Sequence, residues 1–450
     1  MFFQTRFFSF MIRILFFLLC FFASGVQAKL FGAQEFYLDN GLQVVVVPNH
    51  KAPVVKVMLW YKVGSIDEPI GKGGLAHLLE HLMFRGTKKV KGSTFNDIIN
   101  THGGDSNAFT SHDFTVYHEF MDVSRLEVAL ALEADRMENL DISDEAFQTE
   151  RKIVFQEHKQ RVANNPFARF GEILDKTLWQ NNPYSEPVTG LEEEINNLTK
   201  ENAVSFYNQY YSPDNAILVL AGDIDLMTAK NVVQKYFAKI KPKQHKIGAV
   251  KFENLSNTSF ELIHKMPEIK QARYINRYVV PHFSKDLKKT FALMLFSNYF
   301  GETDNSYLQQ NYVLNNRLLA AQSSYSPFRR GQGVFSISAV PDNDYGNIKE
   351  MMDNAILEAL QSFTKEKLDK EKQKVLSSLV YLQDDPEEAA YIVGQFTALG
   401  FSLNDIENYA QYIKDVEIDD VENAVRQMLK KSAKISAFLL PLNENGEDDE

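Results

Sequence analysis

Apolar positions recur along this chain with two periods, and the period changes where the elements change. Residues 36–48 are strongly apolar on both sides of Asp39-Asn40-Gly41, which predicts two strands joined by a turn. Residues 54–63 predict a third strand. Between Gly73 and Phe84 the period lengthens. Leu75, Leu78, Leu79 and Leu82 recur at helical spacing behind a Gly73-Gly74 pair, predicting a helix with one strongly apolar side. Residues 94–101 predict a short helix ended by Gly103-Gly104, 107–120 predict paired strands, and 126–139 predict a helix. Ser143 opens a long helix reaching Arg161, with Ala146, Ile153 and Val154 on its apolar side and Pro166 as its stop. A loop at 183–190 leads to a helix at 202–211, a strand at 215–221 and a helix at 226–237. Strands and helices interleaved in this order predict an α+β fold.

The pattern then repeats. Residues 239–249 are polar, basic and poor in large apolar residues, as a linker would be. Beyond them come strands at 259–263 and 272–280, a helix at 286–300, strands at 322–326 and 334–340, and helices at 345–363 and 365–382. The chain reads as two divergent copies of one unit, each an α/β sandwich of helices on a mixed, mostly antiparallel sheet. The expected division is 29–240, a linker at 241–252, and 253–450.

Composition narrows the chemistry. The net charge of −11 over 450 residues weighs against nucleic acid as a partner. The only cysteine is Cys20, so the remainder of the chain has no disulfide, thiol nucleophile or thiolate ligand, and any metal must be held by histidine and carboxylate. Cys20 lies in an N-terminal segment with Arg6 and Arg13, an apolar run over 14–23 and a small-residue site at Val26-Gln27-Ala28. These features predict an export signal over 1–28, cleaved after Ala28, with an uncleaved membrane anchor as the alternative. No second apolar run of that length follows, so the expected product is exported, periplasmic or secreted, without a membrane span. The acidic C-terminal tail reads as solvated.

The predicted helix at 73–84 carries the chemistry. His77 and His81 are four residues apart, so both project from one side, about 6 Å apart along the axis. That spacing suits two imidazoles on one Zn²⁺, each at about 2.0–2.1 Å. Glu80 stands at the edge of the same side, where a carboxylate can take a proton from water activated by the metal. A structural network is the bland reading, but three such groups buried without partners on so apolar a helix would be costly. A catalytic zinc site usually needs a third protein ligand, and the helix ending at Arg161 offers Glu145, Glu150 and Glu157. Glu150 and Glu157 share one side, roughly 10 Å apart, so one would ligate and the other would support. Spacing does not choose between them, and Mn²⁺ or Co²⁺ would also suit two histidines and a glutamate.

His77-Leu-Leu-Glu80-His81 resembles the His-x-x-Glu-His motif of the inverzincin metallopeptidases, the pitrilysin/insulinase family. Glu150-Arg-Lys-Ile-Val-Phe-Gln-Glu157 is similar to that family's downstream Glu-Arg-x-x-Val-x-x-Glu segment, and Asp39-Asn-Gly-Leu, Glu133-Ala-Asp-Arg-Met and the repeated halves extend the likeness over nearly the whole chain after residue 28. The resemblance implies one Zn²⁺ per chain held by His77, His81 and Glu157, with Glu150 supporting a ligand and Glu80 as general base of a peptide hydrolase. It also implies that Asn107, Ala108, Phe109 and Thr110 form an edge strand along which an extended peptide adds by backbone hydrogen bonds. In the second copy, Thr290-Phe-Ala-Leu-Met-Leu-Phe-Ser has no His-Glu-His set. Many family members carry there an Arg and a Tyr that reach the substrate carbonyl. The corresponding positions fall on Leu314 and Ala321, with Arg317 and Tyr325 out of register. This departure implies the metal-bearing half of a heterodimer whose homologous partner supplies the Arg and Tyr, a homodimer being the other arrangement. The family also contains members that keep the fold as non-catalytic binding or assembly subunits, which stands as the alternative function.

Overall fold

The interior strands at 43–48, 54–61 and 216–222 are built from valine, leucine and other apolar residues in continuous rather than alternating runs, because both faces of the sheet are covered there. The structure is a computed structural model describing residues 29–92, 94–243, 250–342 and 345–442. The predicted export signal, the middle of the expected linker and the acidic tail lie outside the described residues.

In chain order the first half contains β1 (Gln34–Tyr37), β2 (Gln43–Pro48), β3 (Val54–Tyr61), α1 (Leu75–Leu82), α2 (Thr94–Thr101), β4 (Asp105–Thr110), β5 (Thr115–Asp122), α3 (Leu126–Asn139), α4 (Asp144–His158), α5 (Pro166–Trp179), α6 (Glu192–Asn196), α7 (Lys200–Tyr210), β6 (Ala216–Gly222) and α8 (Leu226–Phe237). The second half contains β7 (Ser259–Met266), β8 (Arg273–Val280), α9 (Leu287–Ser297), β9 (Leu318–Ser326), β10 (Gly333–Pro341), α10 (Ile348–Ser362), α11 (Lys365–Asp384), α12 (Pro386–Ala398), α13 (Leu403–Glu407), α14 (Tyr409–Lys414), α15 (Ile418–Lys431) and β11 (Lys434–Pro441).

The strand orders are β1-β2-β6-β3-β5-β4 and β7-β11-β8-β10-β9. Without β1 they are the same order. β2 pairs parallel with β6 and β7 pairs parallel with β11, while the remaining pairs are antiparallel. The fold is α+β with two halves of one topology. Helix α1 follows β3 as α9 follows β8, and α4 follows α3 as α11 follows α10.

Each sheet buries one face under its own half's helices and the other under a helix lent by the opposite half. Val44, Val46, Val57, Leu59 and Leu220 pack with Leu78, Leu79 and Leu130. On the other face Val45, Met58, Trp60 and Val219 join a core with Ala390, Val393 and Phe396 of α12. Gly394 lets α12 close on the indole, since a Cβ there would sit 2.1 Å from Trp60 Nε1. Reciprocally, Phe170, Leu174 and Leu178 of α5 pack with Val279, Ile435, Ala437 and Leu439 of the second sheet. The exchange makes the halves one folding unit. It is reinforced by Arg330, whose guanidinium holds buried Asp67 through both carboxylate oxygens, at 2.7 and 3.1 Å.

The structure differs from the sequence reading at Pro166. The long helix ends at His158 and passes into a wider turn over 159–163, and Pro166 opens α5 rather than closing its predecessor. Proline is well placed at a helix's first turn, and Asn165 caps α5 by accepting from the Phe167 and Ala168 N–H groups. Residues 386–441, left unassigned by the period alone, supply α12 to α15 and the central strand β11. No helix of the described residues is long and apolar enough to cross a membrane.

Candidate metal centre and active site

Helix α1 is held at its N-terminus by chemistry its glycines permit. Gly74 adopts a left-handed φ of 82°, and a Cβ there would lie 2.6 Å from the Thr189 carbonyl oxygen. Gly190, next to Thr189, packs against the pair as well, and a Cβ on it would meet the Gly73 carbonyl carbon at 2.4 Å. The Glu68 carboxyl accepts from Gly74 N–H at 3.0 Å and Ala76 N–H at 2.7 Å, satisfying N–H groups at the start of the helix. Leu75, Leu78, Leu79 and Leu82 are buried, which turns His77, Glu80 and His81 toward α4 and β4.

Glu157 of α4 meets both histidines. Its Oε2 lies 3.7 Å from His77 Nε2 and 3.5 Å from His81 Nε2, and the two rings stand nearly perpendicular at 87°. These separations are too long for good hydrogen bonds. They are close to the roughly 3.4 Å expected between neighbouring ligands of a tetrahedral ion with bonds of about 2.0–2.1 Å. His77, His81 and Glu157 offer one ligand atom each within 4.8 Å of one another, the one such group among the described residues. The donor set is borderline to hard, two imidazoles and a carboxylate, and fits Zn²⁺.

Supporting groups fix each donor. Glu150 is buried and accepts from His81 Nδ1 at 3.0 Å, which leaves Nε2 free to ligate. Its second oxygen is held by Arg85 Nε. Arg161 binds Glu157 Oε1 at 2.7 Å, so Oε2 is the oxygen presented to the imidazoles. Burial, then the neighbouring His81 and Arg161, push the His77 imidazole down to about 3, keeping it neutral. Burial pulls on His81 in the same sense, but the bond to Glu150 and the charges of Glu80, Glu150 and Glu157 outweigh it and raise its pKa. A metal ion would have to displace that proton, because ligation requires the neutral ring.

Glu80 does not join the cluster. Its Oε2 accepts from Thr110 Oγ1 at 2.5 Å, and burial raises its pKa above the usual carboxylate value. Thr110 ends β4, the edge of the first sheet, so the strand holding Asn107, Ala108, Phe109 and Thr110 presents a free backbone edge beside Glu80. A cavity of about 320 Å³ opens there, lined by Glu80, His81, Phe84, Asn96 and Asn107 among others.

Glu145, the third carboxylate considered from the sequence, is exposed at the start of α4 and outside this group. Arg85, Arg161 and the hydroxyl of Thr110 were missed as supports. Arg161 stands four residues after its partner Glu157, but arginine at i+4 is common on any solvated helix, and Arg85 meets Glu150 only through the tertiary fold. In the second half, Leu314 is exposed and Ala321 lies on edge strand β9. Arg317 stacks over Tyr312 at 4.3 Å, and Tyr325 packs within its own half's core.

Residues 43–191 match the model of the insulinase family, peptidase family M16, and residues 197–375 match the peptidase M16 inactive domain. The zinc protease PqqE of Helicobacter pylori is 29% identical over 411 residues, covering 90% of this chain and 92% of that protein. The crystal structure of a protease from Helicobacter pylori aligns with a TM-score of 0.85 at 28% identity, over 91% of this chain and 99% of that one. The first half of the periplasmic protease PqqL from Escherichia coli aligns with a TM-score of 0.75 at 19% identity, over 91% and 92% of the two chains, a likeness of fold.

Proposed function

Because the chain belongs to the M16 peptidase family, its two halves matching that family's two domain models, we propose that it is an exported zinc metalloendopeptidase cutting extended peptides beside β4. The observation carrying this reading is the convergence of His77, His81 and Glu157 on one point with Glu80 alongside. His77 Nε2, His81 Nε2 and Glu157 Oε2 would hold one Zn²⁺. When bound, the ion supplies a Lewis acid for the scissile carbonyl and lowers the pKa of its water toward neutrality.

The chain's own groups do the rest. The β4 edge binds the peptide backbone as an added strand, which selects extended, unfolded segments. Thr110 holds Glu80 Oε2 and leaves Oε1 to take the proton of the attacking water and pass it to the leaving amine. Burial raises the Glu80 pKa, which strengthens it as a base. Glu150 and Arg161 keep His81 and Glu157 in the ligating orientation.

The developing oxyanion needs a further donor. Leu314 and Ala321 have none to offer, so a homologous partner subunit supplies an Arg and a Tyr, and this chain is the metal-bearing member of the pair. Full hydrolysis by the chain alone would contradict that part of the reading. The base assignment is tested by Glu80→Gln. The variant should retain zinc and lose hydrolysis of a quenched extended peptide by roughly 10²–10⁴-fold, and a variant cutting near the wild-type rate overturns it. A non-catalytic binding subunit would instead leave the wild-type chain inactive with every homologous partner.

A further inference from the structure

Strand β4 has a second face that the metal centre does not use. Ser106 and Thr110 turn toward α1 and α2, bonded to Asn96 at 2.9 Å and Glu80 at 2.5 Å. Phe109 turns the other way, toward α12 of the second half, where its ring lies 6.0 Å from Trp60 and 5.9 Å from Tyr391. Tyr391 is 37% exposed, so its ring extends from the packed interface into solvent beside the strand's free edge. One turn earlier on α12, Glu388 is exposed and makes no ion pair among the described residues; burial raises the Tyr391 phenol's pKa and the nearby charge of Glu388 adds to it. Its neighbour Glu387 is already committed to buried Lys56, at 2.6 Å. Asp105 is exposed on the same side of β4 as Phe109.

We infer that Tyr391 and Glu388, both from the second half, form a side-chain subsite for a lysine or arginine of the bound peptide. The inference rests on the peptide-binding reading of β4 given above. A strand added to β4 points alternate side chains to opposite faces, so those adjoining the metal-facing positions land against Phe109 and Tyr391. An aromatic face with an uncommitted carboxylate one turn away suits a cationic side chain, which stacks its stem on the ring and pairs its head with the acid. An acidic side chain would meet Glu388 and Asp105 and be disfavoured. The metal-bearing half thus sets the position of cleavage, and the other half reads a neighbouring residue.

The test is binding of fluorescent extended peptides to zinc-loaded Glu80→Gln protein, with lysine, methionine or glutamate placed at each position in turn. One position should prefer lysine over methionine by about 10-fold. Glu388→Gln should remove most of that ratio, Glu388→Lys should invert it toward glutamate, and Tyr391→Leu should reduce it, while affinity for the methionine peptide stays unchanged in the two Glu388 variants. The absence of any such position, or a preference untouched by the Glu388 variants, overturns the subsite. Hydrolysis by wild-type protein is read in parallel. Cleavage without the preference sinks the subsite alone, and peptide binding with the preference but no cleavage under any partner sinks the peptidase reading alone.

Discussion

Helices α1 and α9 follow equivalent strands of the same topology, yet only α1 carries the histidines of the candidate metal centre. The comparison extends to the helices that face them. Ser143 caps α4 and Thr364 caps α11; the seventh residue after each cap is a buried glutamate, Glu150 in one and Glu371 in the other. Seven residues further on, the first half has Glu157 and the second has Ser378. Glu371 is held by Lys374, its own neighbour at 2.7 Å, where Glu150 reaches His81 and Arg85. The second half therefore has a buried glutamate at the equivalent place, with no His-Glu-His set beside it. A fold supplies the slot, and a few side chains decide whether the slot has chemistry.

The largest expected effect weakens the contact between the halves without separating them. Arg330→Ala leaves the Asp67 carboxylate buried with its counter-ion removed, which should cost about 3–5 kcal/mol of stability. Urea unfolding checks it, and the unfolding of both halves should remain one transition because the α5 and α12 exchange is still in place. The matched glutamates sharpen the comparison further. Glu150→Gln should weaken zinc affinity about 10–100-fold, and Glu371→Gln should leave it unchanged, as chelator competition would measure.

A smaller effect lies in the acid limb of stability. His112 sits between the halves, donating from Nε2 to the Glu186 carbonyl at 3.2 Å with its ring against Tyr184. Burial, then Arg329, push its pKa down to about 4. Between that value and about 6.5 the unfolded chain binds the proton more readily, so the contribution of neutral His112 is present above about 6.5 and is lost as pH falls toward 4. His112→Gln should flatten this limb relative to wild type in melting temperatures taken across the window.

Much of the fold was legible in the sequence because its signals are local. The leucine spacing of α1, the Asp-Asn-Gly turn and the cap at Ser143 act over a few residues, and the repeat of the pattern anticipated two equivalent sheets. The helices α5 and α12 were not legible as bridges. Their apolar faces, such as Phe170, Leu174, Ala390 and Val393, look like those of any packed helix, and nothing local says that the sheet they cover belongs to the other half. At the site, the His77, Glu80 and His81 set was visible from its spacing. The meeting of Glu157 with both histidines depends on how α4 crosses α1, a tertiary relation that spacing left open between Glu150 and Glu157. Arg85, Arg161 and Tyr391 escaped notice because each becomes informative only through a partner distant in sequence or common on any helix surface.

The most direct test of the central claim, a single metal centre confined to the first half, is zinc content per chain after dialysis against a weak chelator. The wild-type chain should retain one zinc, and Glu157→Ala should retain none while staying folded by circular dichroism. Two zinc ions in the wild type, or an unchanged content in Glu157→Ala, would contradict the account.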